Sequence, residues 1–119
     1  MFALSFAALM VSASALVPQV PMCDYDGCPM VSRLGLGCLH LGDKIGGIFD
    51  AQEVNAWILN AVDQGITLFD TADVYPVMGG TAGDAAKLFG EGLALTPGLR
   101  EKLTIVVSLF QSHFLYICY

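Results

Sequence analysis

Gly65-Ile66-Thr67-Leu68-Phe69-Asp70-Thr71-Ala72-Asp73-Val74-Tyr75 is the stretch whose reading decides the fold. Ile66 to Phe69 is an apolar run with Thr67 inside it, and it ends on an acid. An unbroken run, rather than an alternating one, suits a strand covered on both faces, as in a parallel sheet. A polar segment follows and carries a tyrosine five positions after Asp70. In parallel α/β proteins the chemistry gathers at the carboxyl ends of the strands and on the loops that leave them. With Asp70 closing the strand and Tyr75 in the next loop, both can serve one site.

Upstream of this strand the residues read as a helix. Asp50 can cap it, and Glu53 three residues later can reach back to complete a capping box. Val54, Trp57, Ile58, Ala61 and Val62 recur at helical spacing and make one apolar face. Gly65 suits the left-handed position that ends a helix, which predicts a helix over 51–64. Earlier still, Leu34, Leu36 and Cys38 alternate with Arg33, Gly35 and Gly37, which predicts a first strand over 34–38. Strand, helix and strand make a right-handed βαβ unit with parallel strands. Val20 to Ser32 reads as a hairpin with Asp26-Gly27 at its tip.

Downstream, Met78-Gly79-Gly80 reads as a flexible loop, and Thr81 with Asp84 offers a second capping pair. Ala85, Ala86, Phe89 and Leu93 mark the inner face of a helix over 83–95, which Gly90 and Gly92 weaken by about 1 kcal/mol each relative to Ala. Thr96-Pro97-Gly98 stops it, and Leu103 to Ser108 reads as a third buried strand.

Taken together, these segments resemble the aldo-keto reductases. Phe69-Asp70-Thr71-Ala72-Asp73-Val74-Tyr75 is similar to that family's Phe-Asp-Thr-Ala-Asp-x-Tyr, and Ser32-Arg33-Leu34-Gly35-Leu36-Gly37 to its opening strand. Phe89-Gly90-Glu91-Gly92-Leu93 and Pro97-Gly98-Leu99-Arg100-Glu101-Lys102 resemble later family segments. The resemblance covers 20–108 and implies the N-terminal part of a (β/α)8 barrel: a hairpin, about three parallel strands and two helices. It implies Asp70 as catalytic acid, Tyr75 as proton donor, and Gly37, Cys38 and Leu39 beside the nicotinamide ring, with Asp70 also near the cofactor. Cys38 stands where many members have Thr. After Ser108 the resemblance stops: Leu109 occupies the place of the family's lysine, and residues 109–119 form an unmatched apolar tail. The family's fourth-strand histidine has no counterpart, so the chain reads as a truncated barrel, from a shortened gene product or a mis-read splice junction.

Composition bounds the rest. The 119 residues allow one domain, and 55% of them are hydrophobic, above the usual soluble share of roughly 45–50%. A net charge of −6 with only five Lys and Arg excludes phosphate-backbone binding, so no nucleic acid is expected. No stretch reaches the roughly 18 apolar residues of a stable membrane span. Phe2 to Val11 followed by Ala13-Ser14-Ala15 has the form of a signal or targeting peptide over 1–15, although no Lys or Arg precedes its core. Ala13-Ser14-Ala15-Leu16-Val17-Pro18 also resembles the signal-transit boundary of complex plastids, with Leu16 where that motif has Phe. The expected location is the secretory pathway or a plastid, otherwise the cytoplasm. Cys23, Cys28, Cys38 and His40 match no zinc spacing, so no metal is expected; Cys23 and Cys28 can pair in an oxidising compartment.

The resemblance implies NADPH-dependent reduction of a small aldehyde or ketone. A phenol titrates near 10 in water, so it serves as proton donor at neutral pH only when a neighbouring ammonium lowers that value, and a carboxylate holds the ammonium in place. Here the acid and the phenol are present and the ammonium is replaced by Leu109. The expectation is an oxidoreductase type impaired as this chain, the alternative being a non-catalytic cofactor-binding or regulatory module. Three parallel strands leave the third with an open edge, which favours self-association.

Overall fold

The computed structural model describes residues 16–111 and 114–118, with side chains through Leu109. The expected leader over 1–15 lies outside the described residues. Two antiparallel strands, β1 (Gln19–Pro21) and β2 (Met30–Ser32), form the hairpin. Then come β3 (Gly35–Gly37), α1 (Ala51–Asp63), β4 (Leu68–Ala72), α2 (Asp84–Ala94), β5 (Thr104–Gln111) and β6 (Phe114–Cys118). The sheet order is β3-β4-β5-β6, with the first three strands parallel and β6 antiparallel to β5.

Three features differ from the sequence expectation. The second strand runs over Leu68–Ala72 rather than 66–70, because Ile66 donates its N–H to Ala61 O at 2.9 Å and still belongs to the turn leaving α1. Asp70 therefore sits inside the strand, two residues before its end. The third strand continues past Ser108 to Gln111, and the tail folds back on it as β6, with Ser108 opposite Ile117 and Leu109 opposite Tyr116. The open edge expected on the third strand is thereby covered, and among the described residues the last strand of the sheet is β6. Finally, β5 is not buried on both faces: Thr104 to Leu109 are all half-buried. One face has no opposing strand, and no helix covers the outer face beyond α2 among the described residues.

The core lies between the helices and one face of the sheet. Val54, Ile58 and Ala61 of α1 meet Ala85, Leu88 and Phe89 of α2 over Phe69. The Phe69 ring lies 5.4 Å from Trp57, edge-on, and 5.4 Å from Phe89. Trp57 is thus a core residue. Leu88 and Gly92 are buried where the sequence reading placed Ala86, which is exposed. Gly92 lets α1 approach α2: a Cβ there would stand 2.6 Å from Val54 Cγ1. Asn55 Nδ2 then donates to Gly92 O at 2.8 Å and to Thr96 Oγ1 at 2.9 Å, tying the helices together.

The caps form half as expected. Asp50 Oδ1 accepts from the N–H groups of Gln52 and Glu53 at 2.8 and 3.2 Å. At α2 the cap position is Gly83, with φ 91°, and Asp84 Oδ2 accepts from Thr81 N at 2.8 Å. Gly65 has φ 84°, as the helix stop requires.

Ser32, 1% exposed, fastens the hairpin to the start of β4. Its Oγ accepts from Thr67 N and Leu68 N at 2.9 and 3.0 Å and donates to Leu34 O at 2.6 Å. At the hairpin tip Cys28 N donates to Tyr25 O, Gly27 takes φ 87°, and Cys23 and Cys28 form a disulfide.

Candidate functional site

The carboxyl ends of β3, β4 and β5 converge on one rim. In register, Gly37 stands beside Asp70 and Asp70 beside Val106. Cys38 N donates to Asp70 O at 2.8 Å, extending the β3–β4 pairing by one residue. Since Phe69 packs against the helices, strand alternation turns Asp70 to the opposite face of the sheet, where it is half-buried.

Gly37 is exposed, and a Cβ on it would meet no atom within 4 Å. The backbone of Gly37 is thus open to approach beside Asp70. Cys38 contributes differently from expectation. Its thiol is fully buried, and burial first, then the Asp70 charge, push its pKa up to about 12. Only backbone of Cys38 can therefore face a ligand. Leu39 is half-buried in the turn closed by Leu41 N on Cys38 O at 3.1 Å.

Tyr75 lies at the same end of the sheet, on the loop leaving β4. Tyr75 N donates to Ala72 O at 3.2 Å, and Tyr75 O accepts from Gly83 N and Ala85 N at 3.1 and 3.3 Å. These bonds fix the tyrosine backbone between the strand end and the first turn of α2. Its ring is half-buried against the core, and a cis peptide links it to buried Pro76. Asp73 N donates to Ser108 O at 3.1 Å, so the loop also touches β5. Register thus joins Gly37, Cys38 and Asp70, while Leu39 and Tyr75 stand on the two loops above them.

Those loops pack on each other through glycines. A Cβ on Gly42 would lie 3.6 Å from Asp84 Cβ, one on Gly79 would lie 3.0 Å from Lys44 Cβ, and one on Gly80 would lie 3.1 Å from Gly42 O. The β3–α1 loop holds a pair that the sequence reading missed. Asp43, 2% exposed, accepts from Ile45 N at 2.9 Å through Oδ1 and meets His40 Nδ1 at 3.1 Å through Oδ2. The Ile45 N–H and then His40 hold its carboxyl below the usual carboxylate value. The available signal was Asp43 before Gly46-Gly47, an acid placed to bond its own turn.

The four sulfur and nitrogen donors of the metal reading are dispersed: Cys23 and Cys28 bond each other, Cys38 is buried, and His40 faces Asp43. Leu109, in the place of the resemblance's lysine, is a half-buried member of β5.

Residues 33–114 match the sequence profile described as the Aldo/keto reductase family. An uncharacterized oxidoreductase, YcsN of Bacillus subtilis, is 53% identical over 45 residues, which are 38% of this chain and 13% of that protein. A 6-dehydroglucose reductase of Novosphingobium aromaticivorans is 48% identical over 46 residues, 38% of this chain and 15% of its own length. An uncharacterized 11.2 kDa protein of Pseudescherichia vulneris is 31% identical over 80 residues, 60% of this chain and 78% of that protein. A crystal structure from Pseudomonas aeruginosa, assigned to the aldo-keto reductases, superposes with TM-score 0.57 at 29% identity, over 84% of this chain and 35% of the other. The chain thus spans less than a sixth of the first two curated relatives.

Proposed function

Because the chain belongs to the aldo/keto reductase family, we propose that its strand-end rim is the first part of a site for NADP(H)-dependent reduction of an aldehyde or ketone. The fold is α/β, an N-terminal part of a (β/α)8 barrel that does not close. The observation that carries the reading is the register of Gly37 with Asp70, with Tyr75 tied by backbone bonds to the same strand end.

Each residue has a role in this reading. Gly37 and the Cys38–Leu39 backbone form the floor for the nicotinamide face. The Asp70 carboxylate supplies fixed negative charge beside it. The Tyr75 hydroxyl gives its proton to the carbonyl oxygen. Bound NADP(H) would supply the hydride. The aliphatic Leu109 provides no cation to assist the Tyr75 proton, and among the described residues no later strand closes a pocket over the rim. Catalysis through positioning requires those walls. The chain alone is therefore inactive in this reading. That same leucine favours a second reading, a module of the family that binds without turnover.

The test follows NADPH absorbance with an aromatic aldehyde. No decay is expected with the chain as it stands, nor with Leu109→Lys. A version extended by the remaining strands of a full-length relative, including the lysine, gains turnover, and Tyr75→Phe removes it. Turnover by the 119-residue chain that is lost in Tyr75→Phe would refute the inactivity. An extended chain whose activity ignores Tyr75→Phe would refute the assignment of the proton donor.

We infer passage through an oxidising compartment from the Cys23–Cys28 disulfide together with the form of residues 1–15. Among the described residues no helix is long and apolar enough to cross a membrane. Mass spectrometry of protein expressed in a secretory system should find cleavage after Ala15; an intact Met1–Leu16 segment would count against it.

A further inference from the structure

We propose that β6 is an interface between two copies of this chain, pairing antiparallel with β6 of the second copy. The inference is independent of the oxidoreductase reading. Among the described residues, in the sheet β3-β4-β5-β6, β5 is paired on both sides and β6 on one side only. The second edge of Phe114–Cys118 offers a row of backbone donors and acceptors. Edge strands that stay single are protected by charge, proline, a bulge or shortness. Phe114-Leu115-Tyr116-Ile117-Cys118 carries no charge, proline or glycine.

The opposite edge, β3, is protected. It is three residues long, Gly35-Leu36-Gly37, and Arg33 precedes it. A head-to-tail contact of β6 with β3 of another copy would match five residues against three and leave an unpaired edge at each end of the assembly. A two-fold contact of β6 with itself uses one patch twice and closes. It also continues the antiparallel sense already set by β5 and β6. Full overlap of the five residues puts position 116 opposite its own copy and 114 opposite 118. Two four-stranded sheets then form one continuous sheet.

The test is sedimentation of the full chain over a wide concentration series. A monomer–dimer equilibrium is expected. Tyr116→Lys and Tyr116→Glu each place like charges face to face and should weaken association at least about tenfold. Mixing the two variants should restore it, because the charges are then opposite. Circular dichroism of each variant separates lost pairing from lost folding. Should either variant unfold, Tyr116→Cys with Cys118→Ser decides the matter, since oxidation should give a covalent dimer through position 116. A monomer at every concentration would overturn the proposal. So would a dimer indifferent to charge at 116, a mixture that stays monomeric, or no covalent dimer from the cysteine variant. Open-ended assemblies untouched by changes at 116 would overturn it in favour of β6 against β3.

Discussion

Thr71 is 3% exposed, and its hydroxyl has no hydrogen-bond partner among the described residues. A buried hydroxyl left unpaired costs about 1–3 kcal/mol, whereas an apolar group of the same shape costs nothing comparable. Thr71→Val should therefore stabilise the fold by about 1 kcal/mol in urea unfolding. A destabilised variant would mean that the hydroxyl has found a partner. Its immediate neighbour Asp70 has a different environment, half-buried at the rim. Two adjacent residues of one strand thus meet different surroundings. Cys38 makes a further case. Its thiol pKa is raised to about 12, chiefly by burial, from an unfolded value of 9.0. Below 9 the thiol is neutral in both states and the fold keeps its full stability. As pH rises from about 9 to 12 the unfolded chain releases its proton first, so stability falls by on the order of 1 kcal/mol per unit. Cys38→Ala should flatten that alkaline loss, as followed by unfolding at several pH values. Asp43 has the opposite sign: its carboxyl is held low by the Ile45 N–H and His40, so its contribution is present above 3.8 and is lost as pH falls below it.

At the scale of elements, the two glycines of α2 separate propensity from packing. Gly90 has open space where a Cβ would go, so Gly90→Ala should gain up to about 1 kcal/mol from helix propensity. Gly92 has Val54 Cγ1 within 2.6 Å of that position, so Gly92→Ala must part α1 from α2 and should cost about 1–3 kcal/mol. Equal effects at both sites would refute the close approach. The hairpin gives a second comparison. Ser32→Ala removes the acceptor of two part-buried N–H groups and should cost about 1–3 kcal/mol. Reduction of Cys23–Cys28 frees a short loop at the hairpin tip, for a loss of about 2 kcal/mol. Thermal melts of the oxidised, reduced and Ser32→Ala proteins check both.

Among the described residues the sheet is covered by helices on one face. The helices bury Phe69, while Thr104 to Leu109 of β5 remain half-buried throughout. Unfolding enthalpy scales with buried surface, and closed domains reach roughly 0.7 kcal/mol per residue near 60 °C. This chain should fall well short of that in calorimetry, and its melt should be broad. A sharp transition with the full enthalpy would show that the open faces are covered, as a closed assembly of copies would cover them.

The βαβ order, both helices, the apolar face of α1, the Gly65 stop and the place of Asp70 and Tyr75 at one end of the sheet were legible in the sequence. Each of these depends on neighbours a few residues apart, whose spacing expresses helical or strand periodicity directly. The start of β4 at Leu68 was not legible, because an apolar run does not show where the turn after α1 lets go of it. Nor was the burial of Leu88 and Gly92 in place of Ala86, since that depends on how closely α1 can approach. The role of Asp43 rests on a loop that folds back to Ile48, and the pairing of β6 on β5 rests on backbone groups that every residue carries alike. Contacts between distant segments are set by shape and by shared backbone hydrogen bonds, which no local pattern encodes, and only the tertiary structure decided them.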